Sequence, residues 1–213
     1  MIVRSMRISI AAIAAVGFVF FLVACADSPA PTAVKKETAP PPEPISGRQA
    51  IQYMAGSARI WAADAQPLTL RSMQVEDVKK EPGKAGGWEV MFVSANSGAA
   101  RPYTYSGVDV EEIHVHKGIF PGPPESWRVD GSQQPFSPAE IRVDSTDALQ
   151  TATKESGVYL DKPGAKPAVN YMLEYNKAER YQNPVWRVMW GGSMSSADYV
   201  VTVDAITGKV LAK

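Results

Sequence analysis

His114 and His116 are the only imidazoles in the 213-residue chain, and they lie two apart, just after Glu111 and Glu112. In a β-strand, residues i and i+2 point to the same side. Both rings and the Glu112 carboxylate would then share one face and offer ligands to a metal ion. No third or fourth firm ligand stands nearby, and a closed zinc site takes four. A solvated edge strand with two surface imidazoles is therefore expected, with neither a metal nor a cofactor. Glu111 and Glu112 would alternate between faces, so they need not cooperate as acid and base. No G-x-S-x-G elbow is present. Gly83, Gly86 and Gly87 are not followed by Lys-Ser or Lys-Thr, so they read as turn residues and not as a phosphate cradle. The single cysteine, Cys25, excludes an intrachain disulfide, a multi-cysteine zinc site and C-x-x-C redox chemistry. These residue types do not assemble an enzyme, and no enzymatic activity is expected.

Composition narrows the partners. Lysine plus arginine and aspartate plus glutamate each number 22, which leaves no basic field for nucleic acid. The apolar fraction of 45% is ordinary for a folded domain.

The placement of Cys25 is informative. Arg4 and Arg7 precede a run from Ile8 to Ala24 whose only polar residue is Ser9, and the run closes as Leu22-Val23-Ala24-Cys25. This is the pattern of a signal peptide, and its end resembles a bacterial lipobox. The resemblance implies cleavage between Ala24 and Cys25 and lipidation of Cys25. Several acyl chains on one residue would anchor stably where one would not. An uncleaved membrane helix is the alternative, but the run is at the short limit for spanning. Ala26, not an aspartate, follows the cysteine. By analogy with enterobacterial sorting this favours the outer membrane, facing the periplasm, over the inner one. The Pro-rich stretch Asp27 to Pro44 cannot pack a core and reads as a tether, extending up to roughly 55 Å as polyproline II.

Beyond the tether the chain repeats itself. Shifted by 98 residues it aligns without a gap from Ser46 to Phe92: Glu76 meets Glu174, Lys79 meets Lys177, Glu81 meets Glu179, and Trp88, Val90 and Met91 meet Trp186, Val188 and Met189. Each copy begins with a helix. Ser46 and Gln49 have capping-box spacing, and Asp144-Ser145 supplies a cap at the matching place. Ile51, Met54, Ala58 and Trp61 form one apolar stripe, matched by Leu149, Ala152, Ser156 and Tyr159. Gly56 and Gly157 predict short helices. Strands are expected at Leu68 to Val78 and Val169 to Tyr175, then through Trp88-Val90-Phe92 and Trp186-Val188-Trp190, then at Tyr103 to Val110 and Tyr199 to Val203. Ile141 to Asp144 reads as a short lead-in strand. Met91 and Met189 point away from the helices and are candidates for a partner-binding face. Trp127, inside the Pro- and Gly-rich connector, must bury itself against one unit.

The ending Tyr199-Val-Val-Thr-Val-Asp-Ala-Ile-Thr-Gly-Lys-Val-Leu, after a helix and a Trp-x-Val strand, resembles the PepSY domain, with Asp204, Thr207 and Gly208 carrying the turn hallmark. In the first copy Val108-Asp109 takes the place of Val203-Asp204, but Glu-Glu-Ile-His replaces Ile-Thr-Gly-Lys. The resemblance implies an extracytoplasmic module that restrains peptidases or binds other proteins.

The expected fold is α+β, with two repeated PepSY-like units, each a helix on a three- or four-stranded antiparallel sheet. The expected divisions are a signal peptide (1–24), lipidated cysteine and tether (25–45), first unit (46–117), connector (118–140) and second unit (141–213). The expected function is non-enzymatic binding of an envelope protein by a membrane-anchored lipoprotein, with restraint of a peptidase or other envelope enzyme as one form. A structural or assembly adaptor of an envelope machine is the alternative.

Overall fold

The computed structural model describes residues 42–129, 132–161, 168–179 and 181–213. The leader, Ala24, Cys25 and the tether as far as residue 41 lie outside the described residues. Residues 39–213 form one compact unit with its own core, and every strand and buried side chain described here lies in it.

That unit opens with Ile45–Ser46 (β1) and helix α1, Gly47–Trp61. Strands β2 (Gln66–Met73), β3 (Lys84–Ala85), β4 (Gly87–Ser94) and β5 (Ala99–Ser106) follow, then β6 (Gly118–Pro121) and β7 (Glu125–Ser126). Next come helices α2 (Ser145–Glu155) and α3 (Gly157–Leu160), and strands β8 (Val169–Glu174), β9 (Val185–Gly191), β10 (Ala197–Asp204) and β11 (Val210–Ala212).

Local sequence explains the helix starts. Ser46 Oγ accepts from the Gln49 amide, and Gln49 Oε1 accepts from the Ser46 amide at 3.0 Å. Asp144 and Asp147 make the same reciprocal arrangement at α2. Ile51, Met54 and Ala58 are buried as the stripe predicts, while Trp61 is half-buried. Gly56 does not shorten α1, which runs five residues past it to Trp61. A lone glycine costs only about 1 kcal/mol there, and tertiary packing of the buried face outweighs it. Helix α2, by contrast, stops at Glu155, just before Gly157.

The main departure from the sequence reading is in the sheet. The two halves do not form a sheet each; apart from a short β1–β3 pair, where Ile45 sits opposite Ala85, all strands join one sheet. One nine-stranded antiparallel sheet runs β11-β10-β9-β8-β2-β4-β5-β6, with β7 also on β5. The seam is β2 against β8, where Leu70 sits opposite Leu173 and Arg71 opposite Met172. Each strand would otherwise be an exposed edge with unpaired N–H and C=O groups, and pairing satisfies both rows at once. Residues 118 to 121 and 125 to 126, within the expected connector, extend the far side of β5. The expected lead-in strand at Ile141 is absent; instead the amides of Arg142 and Val143 both donate to the Ala205 carbonyl.

Helices α1 and α2 lie on one face. Leu70, Trp88, Val90, Phe92 and Tyr103 join Leu173, Trp186, Val188, Val201 and Val203 in a single core with Ile51, Met54, Ala148 and Ala152. The two tryptophans are fully buried. Trp88 Nε1 donates to the Ile45 carbonyl at 3.0 Å, and Trp186 Nε1 to the Val143 carbonyl at 2.9 Å. Donors and acceptors are each 98 residues apart.

The same spacing fails at β2 and β8. Leu70 pairs with Val90 and Tyr171 with Val188, three residues out of step with the shift of 98. The gapless match of Glu76 with Glu174 is therefore not structural: Glu174 is buried in β8, whereas Glu76 lies in the loop after β2. The loops on either side of the strand differ in length, and the strand slides between them.

Candidate functional site

The face of the sheet away from the helices is the broadest candidate. Register across the strands sets one row there: Thr202, Arg187, Met172, Arg71, Glu89, Thr104 and Phe120 are successive neighbours. Alternation puts these side chains opposite Trp186, Leu173, Leu70 and Trp88. Arg71 pairs with Glu89 at 2.6 Å. Arg187 bridges Glu174 at 2.6 Å and Glu179 at 2.5 Å. Arg187 is half-buried and Glu174 buried, and charge-assisted hydrogen bonds fix their geometry.

A recess of about 430 Å³ opens in this face, floored by Leu68, Met91, Ala100 and Met172 and walled by Trp127 and Arg128. Trp127 meets the expectation that it must pack: it lies on Leu68, Val93 and Ala100, and its amide donates to the Gly98 carbonyl at 2.9 Å. The connector then turns round the end of the sheet. The Gln134 amide donates to the Tyr175 carbonyl and the Phe136 amide to the Pro67 carbonyl, and Phe136 enters the helix-side core. Of the two methionines expected on the open face, Met91 is half-buried at the recess, whereas Met189 is buried.

His114 and His116 do not lie on a strand. Val110 and Val115 bridge each other around a 3-10 turn, Glu111–Ile113, which ends with His114 in the left-handed region at φ 52°. The i, i+2 geometry that would have aimed both rings together is lost. His116 Nδ1 is 3.6 Å from Asp109 Oδ1, and its ring lies 5.3 Å from that of Phe120. Both histidines and Glu89 line a second recess of about 440 Å³ on the helix-free face. Among the described residues no group of three or more histidine, cysteine, aspartate or glutamate side chains converges as metal ligands.

The Asp204–Gly208 turn is a structural device. Asp204 Oδ1 accepts from the amides of Ile206 at 2.9 Å and Thr207 at 2.8 Å, and Asp204 Oδ2 accepts from Asn183 Nδ2 at 2.9 Å. Burial pushes the Asp204 carboxyl up, but these hydrogen bonds outweigh it and hold the group below the usual carboxylate range. Gly208 takes φ 73°, which a residue with a Cβ adopts only under strain. In the first half the residue closing β5 is Ser106, whose Oγ accepts from the Val108 amide at 3.3 Å. Since β5 and β10 end 98 residues apart, Ser106 stands where Asp204 does, and Asp109 does not.

No protein-family model matches the chain, and no curated protein does. Among solved structures, the crystal structure of a candidate lipoprotein from Clostridium difficile 630 is similar, with a TM-score of 0.50 at 12% identity, covering 76% of this chain and 90% of that one. At that identity the likeness defines a shared α+β fold and nothing finer. Among the described residues no helix is long and apolar enough to cross a membrane.

Proposed function

We propose that this chain is a lipid-anchored protein of the bacterial envelope that binds a protein partner through the helix-free face of its sheet, without catalysis. In this reading the partner is a peptidase or another envelope enzyme held in check. The observation that carries it is the crosswise row from Arg187 to Phe120. It spans both halves, neither α1 nor α2 covers it, and it combines ion-paired arginines with the Met91–Met172 recess. Aromatic, methionine and arginine side chains are the types enriched where proteins bind one another. The lipobox around Cys25 supports the anchor, as does the lipoprotein description of the C. difficile protein of similar fold.

The reading includes two copies of one PepSY-like unit. Its support is the 98-residue spacing of the helix starts, of β5 and β10, and of the two tryptophan-to-carbonyl bonds.

The test is co-purification of the full chain from detergent-solubilised membranes, beside a Met91→Lys, Met172→Lys variant. A fixed partner retained by the native chain and lost by the variant is expected, with the partner's peptidase activity slowed near one-to-one. A partner profile identical for both chains overturns the assignment of this face. For the anchor, Cys25→Ala should release the protein from membranes. Membrane attachment that survives this change, with the leader removed, sinks it.

A further inference from the structure

A separate cleft lies on the helix-bearing side, between residues 74–86 of the first half and α2 and β8 of the second. Its volume is about 690 Å³, within the range of small-molecule sites. The walls are apolar: Val75, Val78, Leu149, Val169 and the ring of Tyr171. The rim is cationic, with Lys79, Lys80 and Lys84 set against a single acid, Glu81. Glu81 is already engaged, bonding Lys79 at 2.7 Å and Lys84 at 2.8 Å, so it fixes two ammonium groups in place while leaving the rim with net positive charge.

The cleft is held open by polar ties at both ends of the loop. Gln74 Nε2 donates to the Val169 carbonyl at 3.3 Å and to Asn170 Oδ1 at 3.0 Å. The Gly83 amide donates to the Tyr171 hydroxyl at 3.1 Å, and Ser145 Oγ donates to the Gly83 carbonyl at 2.6 Å. A cavity preformed in this way spares a ligand the cost of ordering it. Apolar walls below a lysine rim match one kind of molecule. We infer that this cleft binds a small amphipathic organic anion, with a hydrocarbon body against Val75, Val78, Leu149 and Val169 and a carboxylate or phosphate head at Lys79 and Lys80. The site is independent of the helix-free face, since Val169 and Tyr171 point to the helix side of the sheet.

The test uses residues 39–213, the unit that contains the whole core, and amide chemical-shift mapping with octanoate, octyl phosphate, octanol and acetate. Octanoate or octyl phosphate should bind about tenfold or more tighter than octanol, because a charged hydrogen bond is added to the same tail. Acetate, a head without a tail, should not bind. Shifts should fall on Gly86, Leu149 and Val169. A Lys79→Gln, Lys80→Gln variant, its fold checked by the same spectrum, should lose that margin and keep its affinity for octanol. Equal binding of octanoate and octanol, shifts centred elsewhere, or unchanged octanoate affinity in the variant each overturn the inference. Of the two anions, the one bound more tightly identifies the head group.

Discussion

Ser46 and Asp144, the capping residues of two helices 98 residues apart, are bonded to each other: Ser46 Oγ donates to Asp144 Oδ2 at 2.6 Å. Asp144 Oδ1 also accepts from the Arg48 amide at 3.0 Å, and Ser145 Oγ accepts from the Gly47 amide at 2.8 Å. The two helix N-termini therefore share one set of polar groups. Asp144 serves the first helix as well as its own, and its negative charge lies where both helix dipoles favour it.

Asp144→Ala should accordingly cost more than an ordinary cap. A lost cap is worth about 1 kcal/mol, and stranding the Ser46 hydroxyl and the Arg48 amide brings the total to about 2–3 kcal/mol. Asp144→Asn, which keeps an acceptor, should cost about half as much. Urea midpoints with an unchanged slope would show this.

The same substitution should have opposite signs at two places in α1. A Cβ on Gly56 meets nothing within 4 Å, so Gly56→Ala should stabilise by about 0.5–1 kcal/mol. A Cβ on Gly47 would lie 2.4 Å from the ring of Trp186, itself fully buried and unable to yield, so Gly47→Ala should destabilise by about 1–3 kcal/mol. Thermal midpoints moving in opposite directions are the expected result.

Trp88→Phe and Trp186→Phe should each cost about 2–4 kcal/mol, combining an emptied indole volume with an orphaned carbonyl at Ile45 or Val143. Similar losses in the two halves are expected from denaturant unfolding. A much smaller loss at one site would show that its carbonyl finds another donor.

Acid should weaken the fold. The Lys79 and Lys84 ammonium groups hold the Glu81 carboxyl down to about 2 from its ordinary 4.5. A carboxyl lowered in the folded state contributes stability above its unfolded value, lost as pH falls from 4.5 towards 2. Asp204 acts with the same sign. Glu81→Gln should flatten part of that decline in urea midpoints. At the alkaline end the sign reverses. Burial raises the Tyr171 hydroxyl to about 12, so its contribution is full below the ordinary 10.0 and lost between 10.0 and 12.

Features set by nearby residues were legible in the sequence. Ser46 and Gln49 announce a capping box by spacing alone, and the Asp204 to Gly208 turn follows from residues that bond their own backbone. The seam at Leu70 and Leu173 was not legible, because an alternating strand pattern states which side is buried but not which strand lies alongside. The histidine pair was misread for a related reason. Its alternation looks like a strand, but Val110 and Val115 close a tight turn around Glu111, Glu112 and Ile113. The replacement of Ile-Thr-Gly-Lys by Glu-Glu-Ile-His removes the turn glycine, which marks a different loop without giving its shape. The recess at Met91, Met172 and Trp127 depends on residues from three distant segments, of which only Met91 and Trp127 stand out in the sequence.

The seam also governs how the protein can be made. Strand β2 leaves the ribosome long before β8, and its partner on that side, Met172 to Glu174, arrives about a hundred residues later. Until then the nascent first half presents a free sheet edge of alternating apolar residues, a template for pairing with another chain. Closure over so long a separation is slow. A chain bound for export would cross the membrane before this pairing forms, so folding and the burial of that edge would belong to the far side.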